Sequence, residues 1–184
     1  MKNIIRKDLY RYIGEDCNSN FWLTRYVLFT AGFRYIYFYR HAQYAKSAIT
    51  RLFWTFLLRQ CMLRTGIQIP AQTKIGEGFR IVHFGHIVIN PEAIIGKNFN
   101  ISQGCLIGNS QGKKSGVPTI GDNVCMNANS VIVGGVTIGD NVLIAPNAFI
   151  NFDVPSNSIV IGNPAKIIAK NNPTAKYIVY PIID

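Results

Sequence analysis

A six-residue periodicity governs the second part of this chain. The dipeptide Ile-Gly recurs at positions 75, 95, 107, 120, 138 and 161, at spacings within two residues of a multiple of six. A period of six fits neither a helix nor a flat sheet, because their side-chain periods are 3.6 and 2. Aliphatic residues recur at six-residue steps in three runs: Ile69, Ile75, Ile81 and Ile87; then Ile95, Ile101 and Ile107; then Ile120, Met126, Ile132, Ile138, Ile144 and Ile150.

We interpret this repeat as a triangular prism of short strands. Each hexapeptide supplies a strand and a turn, three hexapeptides make one coil, and stacked coils pair their backbones about 4.8 Å apart. The aliphatic residue points to the narrow axis, while Gly, Asn and Asp accept the turn conformations at the corners. Small or β-branched residues recur four positions later, at Val124, Ser130, Val136, Val142, Ala148 and Val154. So many positions in phase favour this solenoid over an ordinary β-sandwich.

The residues before the repeat have a helical composition. No glycine or proline occurs between Phe33 and Gly66, and Ala, Leu, Arg and aromatic residues dominate there. We predict two or three helices, with breaks near residues 14–20, 31–32 and 41–46. The predicted fold class is mainly β with a helical N-terminal extension: a helical region over 1–65, a β-helix over 66–168 with a projecting loop at 109–118, and a tail over 169–184.

Charge and aromatic residues are concentrated in that helical region. Residues 1–65 hold 11 Lys/Arg against 3 Asp/Glu and 15 of the 22 aromatic residues. This composition fits a helical cap on the β-helix, and equally a cap that also contacts an anionic membrane surface. Nucleic acid is not an expected partner, because the β-helix is nearly neutral and no nucleic-acid-binding motif is present.

Cysteine usage and hydropathy indicate a cytoplasmic protein. Cys17, Cys61, Cys105 and Cys125 are scattered without paired spacing, as expected of reduced thiols. The N-terminal sequence carries charges where the apolar region of a signal peptide would lie. The longest uncharged aromatic runs fall short of the roughly 18 residues of a membrane span. We therefore expect a cytoplasmic location, with contact at the inner face of the membrane as the further option.

The repeat motifs resemble those of a known family. Ile-Gly-Asp-Asn-Val at 120–124 and the closing VPSNSIVIGNPAKII at 154–168 are similar to the hexapeptide-repeat acyltransferases, over about residues 66–168. The order of features is nearest to the serine acetyltransferases and their relatives in surface-polysaccharide synthesis. This resemblance implies a left-handed parallel β-helix, acetyl-CoA as acyl donor, and homotrimers with active sites between neighbouring β-helices.

Two histidines lie in the stretch HFGHIVIN at 83–90. Imidazole can take the proton of a hydroxyl nucleophile near neutral pH. The resemblance implies that His83 is this general base, whereas His86 has no fixed counterpart and remains a substrate contact, a turn residue or an interface residue. Serine acetyltransferases orient the base with an aspartate fifteen residues earlier, where this chain has Gln68. Gln68, Glu77 and Glu92 are therefore the alternatives for the partner of the base.

A second departure concerns the acceptor. Serine acetyltransferases carry a second histidine before Pro-x-Ile, and this chain has Val117 there. Losing that polar group argues against free serine, because amino-acid recognition needs buried polar partners. We therefore expect direct acetylation of a sugar hydroxyl in surface-polysaccharide synthesis. A serine O-acetyltransferase, a non-catalytic β-helical assembly protein and an amine acceptor remain alternatives.

The remaining site residues follow from the resemblance. It places acetyl-CoA beside the 109–118 loop, whose Lys113 and Lys114 would contact phosphate or an acidic sugar; the alternative is a hairpin whose lysines are only solvated. It places an oxyanion donor near Gly108, the pantetheine chain along Asn127, Ala128, Ala145 and Pro146, and the adenosine phosphates near Lys166. We expect no metal, because His41 belongs to the helical region and three histidine ligands cannot be assembled.

Overall fold

The computed structural model describes residues 2–183, apart from the side chain of Lys2. Met1 and Asp184, which belong to the predicted helical region and the predicted tail, lie outside the described residues. The helices are α1 (Lys2–Ile13), a 3-10 helix (Gly14–Asn18), α2 (Asn20–Phe29), α3 (Ala31–Gln43) and α4 (Ala48–Thr65). The predicted count of two or three helices was wrong, because the chain breaks at or beside all three predicted positions and so forms four α-helices within the described residues.

Local sequence sets both ends of α4. Ser47 accepts a hydrogen bond from the backbone N–H of Thr50 and forms a capping box with it. Gly66 ends the helix in the left-handed conformation with φ 70°, which glycine adopts without steric cost. The helical region therefore ends where the sequence predicted the change of texture.

Fourteen short strands follow, and they form three sheets that we name faces A, B and C. The strands are β1 (Lys74–Ile75), β2 (Arg80–Ile81), β3 (Val88–Ile89), β4 (Ile94–Ile95), β5 (Asn100–Ile101), β6 (Leu106–Gly108), β7 (Thr119–Ile120), β8 (Cys125–Met126), β9 (Val131–Val133), β10 (Thr137–Ile138), β11 (Val142–Ile144), β12 (Phe149–Ile150), β13 (Ser158–Ile161) and β14 (Lys166–Ala169). Face A contains β3, β6, β9 and β12; face B contains β1, β4, β7 and β10; face C contains β2, β5, β8, β11, β13 and β14.

The strand order gives a parallel β-helix. Successive strands pass from face B to face C to face A, and each strand pairs in parallel with the strand one coil later. Only β14 runs antiparallel, because the chain reverses after β13 and pairs Ser158 with Ala169. The predicted prism is confirmed, and its corners can be named by the faces they join: C–A, A–B and B–C.

The predicted axial column is confirmed with one correction. Ile81 pairs with Ile101 and Ile101 with Met126, and all three side chains are buried. Ile87 is also buried, but Ile89 is the residue that pairs with Ile107. The step between the in-phase residues Ile81 and Ile89 is therefore eight positions instead of six. The turn that carries both histidines contains two residues more than the repeat requires.

Side chains from α1 and α3 close the first coil. The Tyr35 hydroxyl donates to the carbonyl of Ile69 at 3.0 Å and accepts from its N–H at 3.0 Å. The Tyr12 hydroxyl does the same to Ile81, at 2.9 and 3.0 Å. Each phenol thus replaces the missing strand for one residue, which satisfies backbone groups that burial would otherwise leave unpaired.

Charged side chains complete this closure. Asp8 and Arg40 form a fully buried ion pair, 2.8 Å between carboxylate and Nε. Arg40 also donates to the carbonyls of Ile75 and Gly76, and Asp8 accepts from the N–H of Phe79. We call the six side chains that bond the first coils in this way the polar cap: Asp8, Arg11, Tyr12, Tyr35, Tyr39 and Arg40.

The three faces differ in what covers them. On face C, the outward side chains of Asn100, Cys125 and Leu143 are buried by the chain itself. Face B presents mainly polar residues to solvent. On face A, aliphatic and aromatic side chains alternate with the axial residues and point outward, half-buried: Val88, Leu106, Val131 and Phe149.

Candidate active site

Residues 82–86 form the histidine turn, which joins β2 on face C to β3 on face A. His83 and His86 are both exposed, and His86 has a left-handed backbone with φ 50°. The end of α4 packs against the turn. A Cβ added at Gly66 would lie only 3.0 Å from the backbone nitrogen of His86. The two additional residues therefore bulge the chain outward at the C–A corner and present both rings to solvent.

Neither imidazole is engaged within the part of the chain that the structure describes. No hydrogen bond or ion pair joins either ring to residues 2–183, and the neighbouring Phe84 is 55% exposed. A ring with no structural hydrogen bond is free to accept a proton from a bound hydroxyl. This arrangement is what the chemistry of a general base requires.

The three predicted partners of the base lie at different places. Gln68 is bonded through its backbone to Ile87 and Ile89 on face A, and its exposed side chain is not bonded to His83. Glu77 lies at the B–C corner, where both carboxylate oxygens bond Lys7 at 2.8 Å. Glu92 lies at the A–B corner with an exposed side chain. Within one chain, the two glutamates are therefore at other corners than His83.

Gln68 also lines a cavity of about 590 Å³ between α3, α4 and the first coil. The lining is mostly apolar, with Arg51 and Arg59 of α4 and the amides of Gln43 and Gln72 adding polar groups. Gln68 connects this cavity to the lower edge of face A, where its backbone bonds Ile87 and Ile89. Its residues were not predicted as site residues, and no sequence motif marks them.

The C–A corner continues as a column above the histidine turn. The N–H of Gly104 donates to Gly85, that of Asn129 to Gln103, and that of Asn147 to Ala128, each at 3.0 Å. The predicted residues Asn127, Ala128, Ala145 and Pro146 therefore share one corner with His83, and Lys166 follows β13 on the next coil. Gln103, directly above the turn, was missed because the two-residue insertion hides its alignment with the histidines.

Most backbone donors in this column are already bonded. The N–H of Asn127 donates to Ile144 at 3.0 Å, and its side-chain amide donates to the same carbonyl at 2.8 Å. The N–H of Ala145 donates to Val160 at 2.8 Å, and Pro146 has no N–H. At these positions the corner therefore offers shape and carbonyl oxygens to a ligand rather than free N–H groups.

The 109–118 loop and Gly108 lie at the A–B corner. The loop closes as a hairpin through Ser110 and Gly116, and the N–H of Gly135 bonds the carbonyl of Lys114. Lys114 forms an ion pair with Asp153, whereas Lys113 is exposed. The predicted cofactor residues thus fall into two groups, on the two corners that border face A.

The remaining polar groups are structural. Burial raises the pKa of the Cys125 thiol to about 12 and also raises the pKa of Cys105, so both are poor nucleophiles at neutral pH. His41 stacks on Trp54 with ring centroids 4.1 Å apart.

Residues 2–183 contain no cluster of three side chains suited to hold a metal ion. No helix in that range has the length and hydropathy to cross a bilayer.

Comparison with known proteins identifies the family. The profile described as Bacterial transferase hexapeptide (six repeats) matches residues 118–151. The putative colanic acid biosynthesis acetyltransferase WcaB of Escherichia coli K12 is 30% identical over 160 residues, covering 83% of this chain and 96% of WcaB. The chain belongs to the hexapeptide-repeat acetyltransferases.

This chain is also similar to serine acetyltransferases. Serine acetyltransferase 2 of Arabidopsis thaliana is 31% identical over 91% of this chain, which spans 52% of that protein. The crystal structure of Neisseria gonorrhoeae serine acetyltransferase in complex with serine superposes with a TM-score of 0.74 at 27% identity, over 89% of this chain and 67% of that one. The serine acetyltransferase of Brucella abortus in complex with coenzyme A, at 24% identity and a TM-score of 0.76, shares the fold over 92% of this chain and 68% of its own.

Proposed function

We propose that this protein transfers the acetyl group of acetyl-CoA to a sugar hydroxyl of a surface polysaccharide, with His83 as general base. The observation that carries the proposal is an exposed imidazole that has no partner within residues 2–183 and lies at the head of a corner column in an acetyltransferase fold. The match to WcaB over 96% of that protein's length supports a polysaccharide acceptor.

The transfer needs no covalent acyl-enzyme. The acceptor hydroxyl gives its proton to His83 as its oxygen attacks the thioester carbonyl, and a tetrahedral oxyanion forms. When the oxyanion collapses, the C–S bond breaks and the departing coenzyme A thiolate takes the proton from the imidazolium. Backbone N–H groups at the bound thioester would stabilise the oxyanion. The buried thiols of Cys105 and Cys125, with raised pKa values, support this direct route.

The donor would lie along the C–A corner. Its thioester would lie at His83, its pantetheine chain beside Ala128 and Pro146, and its phosphates near Lys166, which is exposed at the start of β14. Lysine suits a phosphate as a point charge. A protein with this fold has been crystallised in complex with coenzyme A, which is consistent with an acetyl-CoA donor.

A homotrimer would complete the site. Face A offers an apolar surface that the described part of the chain does not cover, and the predicted site residues occupy both of its edges. A closed ring of copies with face A inward would bring Gly108 and Lys113 of one copy to the His83 column of the next. A closed cyclic assembly is the usual way for a protein to cover such a face.

Serine is the second candidate acceptor. The Arabidopsis relative and the Neisseria structure, both serine acetyltransferases, favour it. Against serine stands Val117, an apolar and half-buried residue at the A–B corner. A serine carboxylate or ammonium placed there would lose water without gaining a polar partner, which costs free energy.

The helical region would hold the enzyme at a membrane surface. Apolar residues of α4 recur at helical spacing on one exposed side: Ile49, Leu52, Phe53, Phe56 and Leu63, of which Ile49 is 83% exposed. On α2, Phe21, Leu28 and Phe29 are also exposed, next to Arg25. Apolar side chains flanked by arginine suit the headgroup region of an anionic leaflet. A lipid-linked glycan would be presented there.

The decisive experiment is thiol release from acetyl-CoA by the purified protein, with serine and a panel of sugars as acceptors. Sugar-dependent release that collapses in His83→Ala would support the proposal. Release with serine alone would replace the acceptor, and activity unchanged in His83→Ala would remove His83 from the mechanism. If acetyl-CoA itself does not bind by calorimetry, the protein is a non-catalytic assembly protein instead.

Membrane contact is tested separately by sedimentation with vesicles of phosphatidylglycerol and phosphatidylcholine. We expect binding that falls with salt and is reduced in Phe53→Ser/Phe56→Ser, two exposed positions of α4. Lys74→Gln, on the polar face B, is the control. Equal sedimentation of wild type and α4 variant would contradict the membrane contact.

A further inference from the structure

The carboxylates of the β-helix are nearly all occupied. Glu77 bonds Lys7; Asp122 accepts from the N–H of Lys97 at 2.6 Å; Asp140 accepts from the N–H of Asp122 at 2.7 Å; and Asp153 accepts from the N–H of Thr137 at 2.9 Å. Glu92 is the exception. Its side chain is exposed and makes no hydrogen bond or ion pair within residues 2–183.

Glu92 and the histidine turn lie at the two ends of the same strand. The turn enters β3 at the C–A corner, and the residues after β3 reach Glu92 at the A–B corner. Face A therefore separates His83 from Glu92 within one chain. An imidazole and a carboxylate, two groups of complementary chemistry without a partner in residues 2–183, therefore border the one face whose outward side chains form a half-buried apolar column.

Rotational symmetry would join these two edges. In a ring of copies around an axis parallel to the prism, with face A inward, the C–A corner of each copy meets the A–B corner of the next. A pure rotation preserves height along the axis. His83 and Glu92 belong to the same coil, so their heights differ by less than one coil spacing of about 4.8 Å.

We infer that Glu92 of a neighbouring copy is a positioning residue for His83. This inference rests on the proposed function, whose trimer and base it uses. The carboxylate would accept one ring N–H, which leaves the other ring nitrogen to take the hydroxyl proton, and it would stabilise the imidazolium. Glu92 thereby supplies, from another subunit, the negative charge that Gln68 cannot supply.

Kinetics of the isosteric variant provide the first test. Glu92→Gln should lower kcat on the order of 10²-fold with little change in the KM for acetyl-CoA, because a misplaced base costs about that much. The acidic limb of the pH–rate profile should move to lower pH, since the protonated imidazole loses its counter-charge. Lys74→Gln, an exposed charge of the same coil on face B, should change neither. Full activity in Glu92→Gln would overturn the inference.

Mixed trimers test whether the residue acts between subunits. His83→Ala chains and Glu92→Gln chains are each nearly inactive alone, but every trimer containing both kinds has one site with an intact pair. Random mixing of equal amounts should therefore restore about a quarter of wild-type activity in a cyclic trimer. If both residues act within one chain, no site is intact and mixing restores nothing, which would refute the inference.

Cross-linking provides a test that needs no activity. The four native cysteines are buried, so His83→Cys/Glu92→Cys chains should be joined by a short bis-maleimide into covalent trimers. Lys74→Cys/Glu92→Cys chains should form no covalent trimers, because Lys74 pairs with Ile94 of the same chain and a link between positions 74 and 92 stays within that chain. If wild type releases no thiol from acetyl-CoA yet the trimers form, the proposed function fails while the predicted proximity holds. If His83→Cys/Glu92→Cys does not cross-link, the proximity itself is wrong.

Discussion

The polar cap and the histidine turn border the same first coil, yet they treat polar side chains in opposite ways. In the cap, Asp8, Arg40 and Tyr12 are fully or nearly fully bonded to one another and to the strand backbone. In the turn, His83 and His86 are exposed and unbonded within residues 2–183. One region uses its polar groups to hold the fold, and the other keeps them available to a ligand.

A shifted pKa in this fold can mark a structural group as well as a catalytic one. Burial raises the pKa of Tyr12, Tyr35 and Tyr39. Shifted pKa values often point to catalytic groups, but here they mark the structural end of the prism. The two regions are nevertheless connected, because Tyr12 bonds Ile81, the residue that ends β2 just before the histidine turn. The cap thus fixes the base from which the turn projects.

The largest effect should come from breaking the buried ion pair of the cap. Asp8→Ala leaves the Arg40 guanidinium buried without its counter-charge, which should cost about 3–5 kcal/mol of unfolding free energy in urea. Lys7 lies on the same helix as Asp8 and forms a partly exposed ion pair with Glu77. Lys7→Gln should therefore lower the unfolding free energy by only about 0–1 kcal/mol. Similar losses in both variants would show that the cap is no more important than a surface pair.

His83→Ala should lower activity and leave stability nearly unchanged. We expect kcat/KM to fall by about 10²- to 10⁴-fold, the range of a general base, with unfolding free energy within about 0.5 kcal/mol of wild type. His86→Asn is the matched control, since asparagine also accepts the left-handed backbone of His86, and it should keep most of the activity. A large loss of stability in His83→Ala would show that the histidine turn, like the polar cap, stabilises the fold.

The phenol groups of the cap allow a finer comparison. Tyr12→Phe removes one oxygen and leaves the N–H and carbonyl of Ile81 unpaired, at a cost of about 1–3 kcal/mol. Tyr44→Phe, at a residue 46% exposed, should be neutral within about 0.5 kcal/mol. Thermal and urea unfolding measure both. Equal stability of the two variants would mean that water replaces the phenol at Ile81.

The smallest effect at neutral pH should be that of Tyr39 and Cys125, which lowers stability only in alkaline solution. Burial raises the pKa of Tyr39 to about 12 and that of Cys125 to about 12. In the unfolded chain these groups titrate near pH 10 and 8.5. The unfolded state therefore loses these protons first, so the contribution of Tyr39 and Cys125 to the unfolding free energy should be constant below about pH 8.5 and fall as pH rises further. A flat curve to pH 10.5 in urea titrations would contradict these raised values.

Local repetition made the β-helix predictable from sequence. Met126, Ile132, Ile138 and Ile144 repeat at six-residue steps, and each repeat needs only its neighbours to define the strand and turn. The break from helix to strand at Gly66 was equally readable. The predictions for His83, Lys113 and Lys166 depended on a family resemblance, and they stay predictions.

Long-range and insertional features could not be predicted from the sequence. Tyr12 and Ile81 are 69 positions apart, and Asp8 meets Arg40 through two different helices, so no short motif marks the cap. The two additional residues in the histidine turn were concealed because Ile87 is also buried and mimics an in-phase residue. The division of the site between two corners follows only from the strand order.

The phenols of Tyr12 and Tyr35 have a consequence for how prisms meet. A first coil with free N–H and C=O groups would be a template on which another prism could add its last coil, and end-to-end addition would continue into filaments. Each hydroxyl instead donates and accepts at one backbone residue, so the ladder is terminated chemically as well as sterically. The chain can therefore associate side by side without the risk of growing lengthwise.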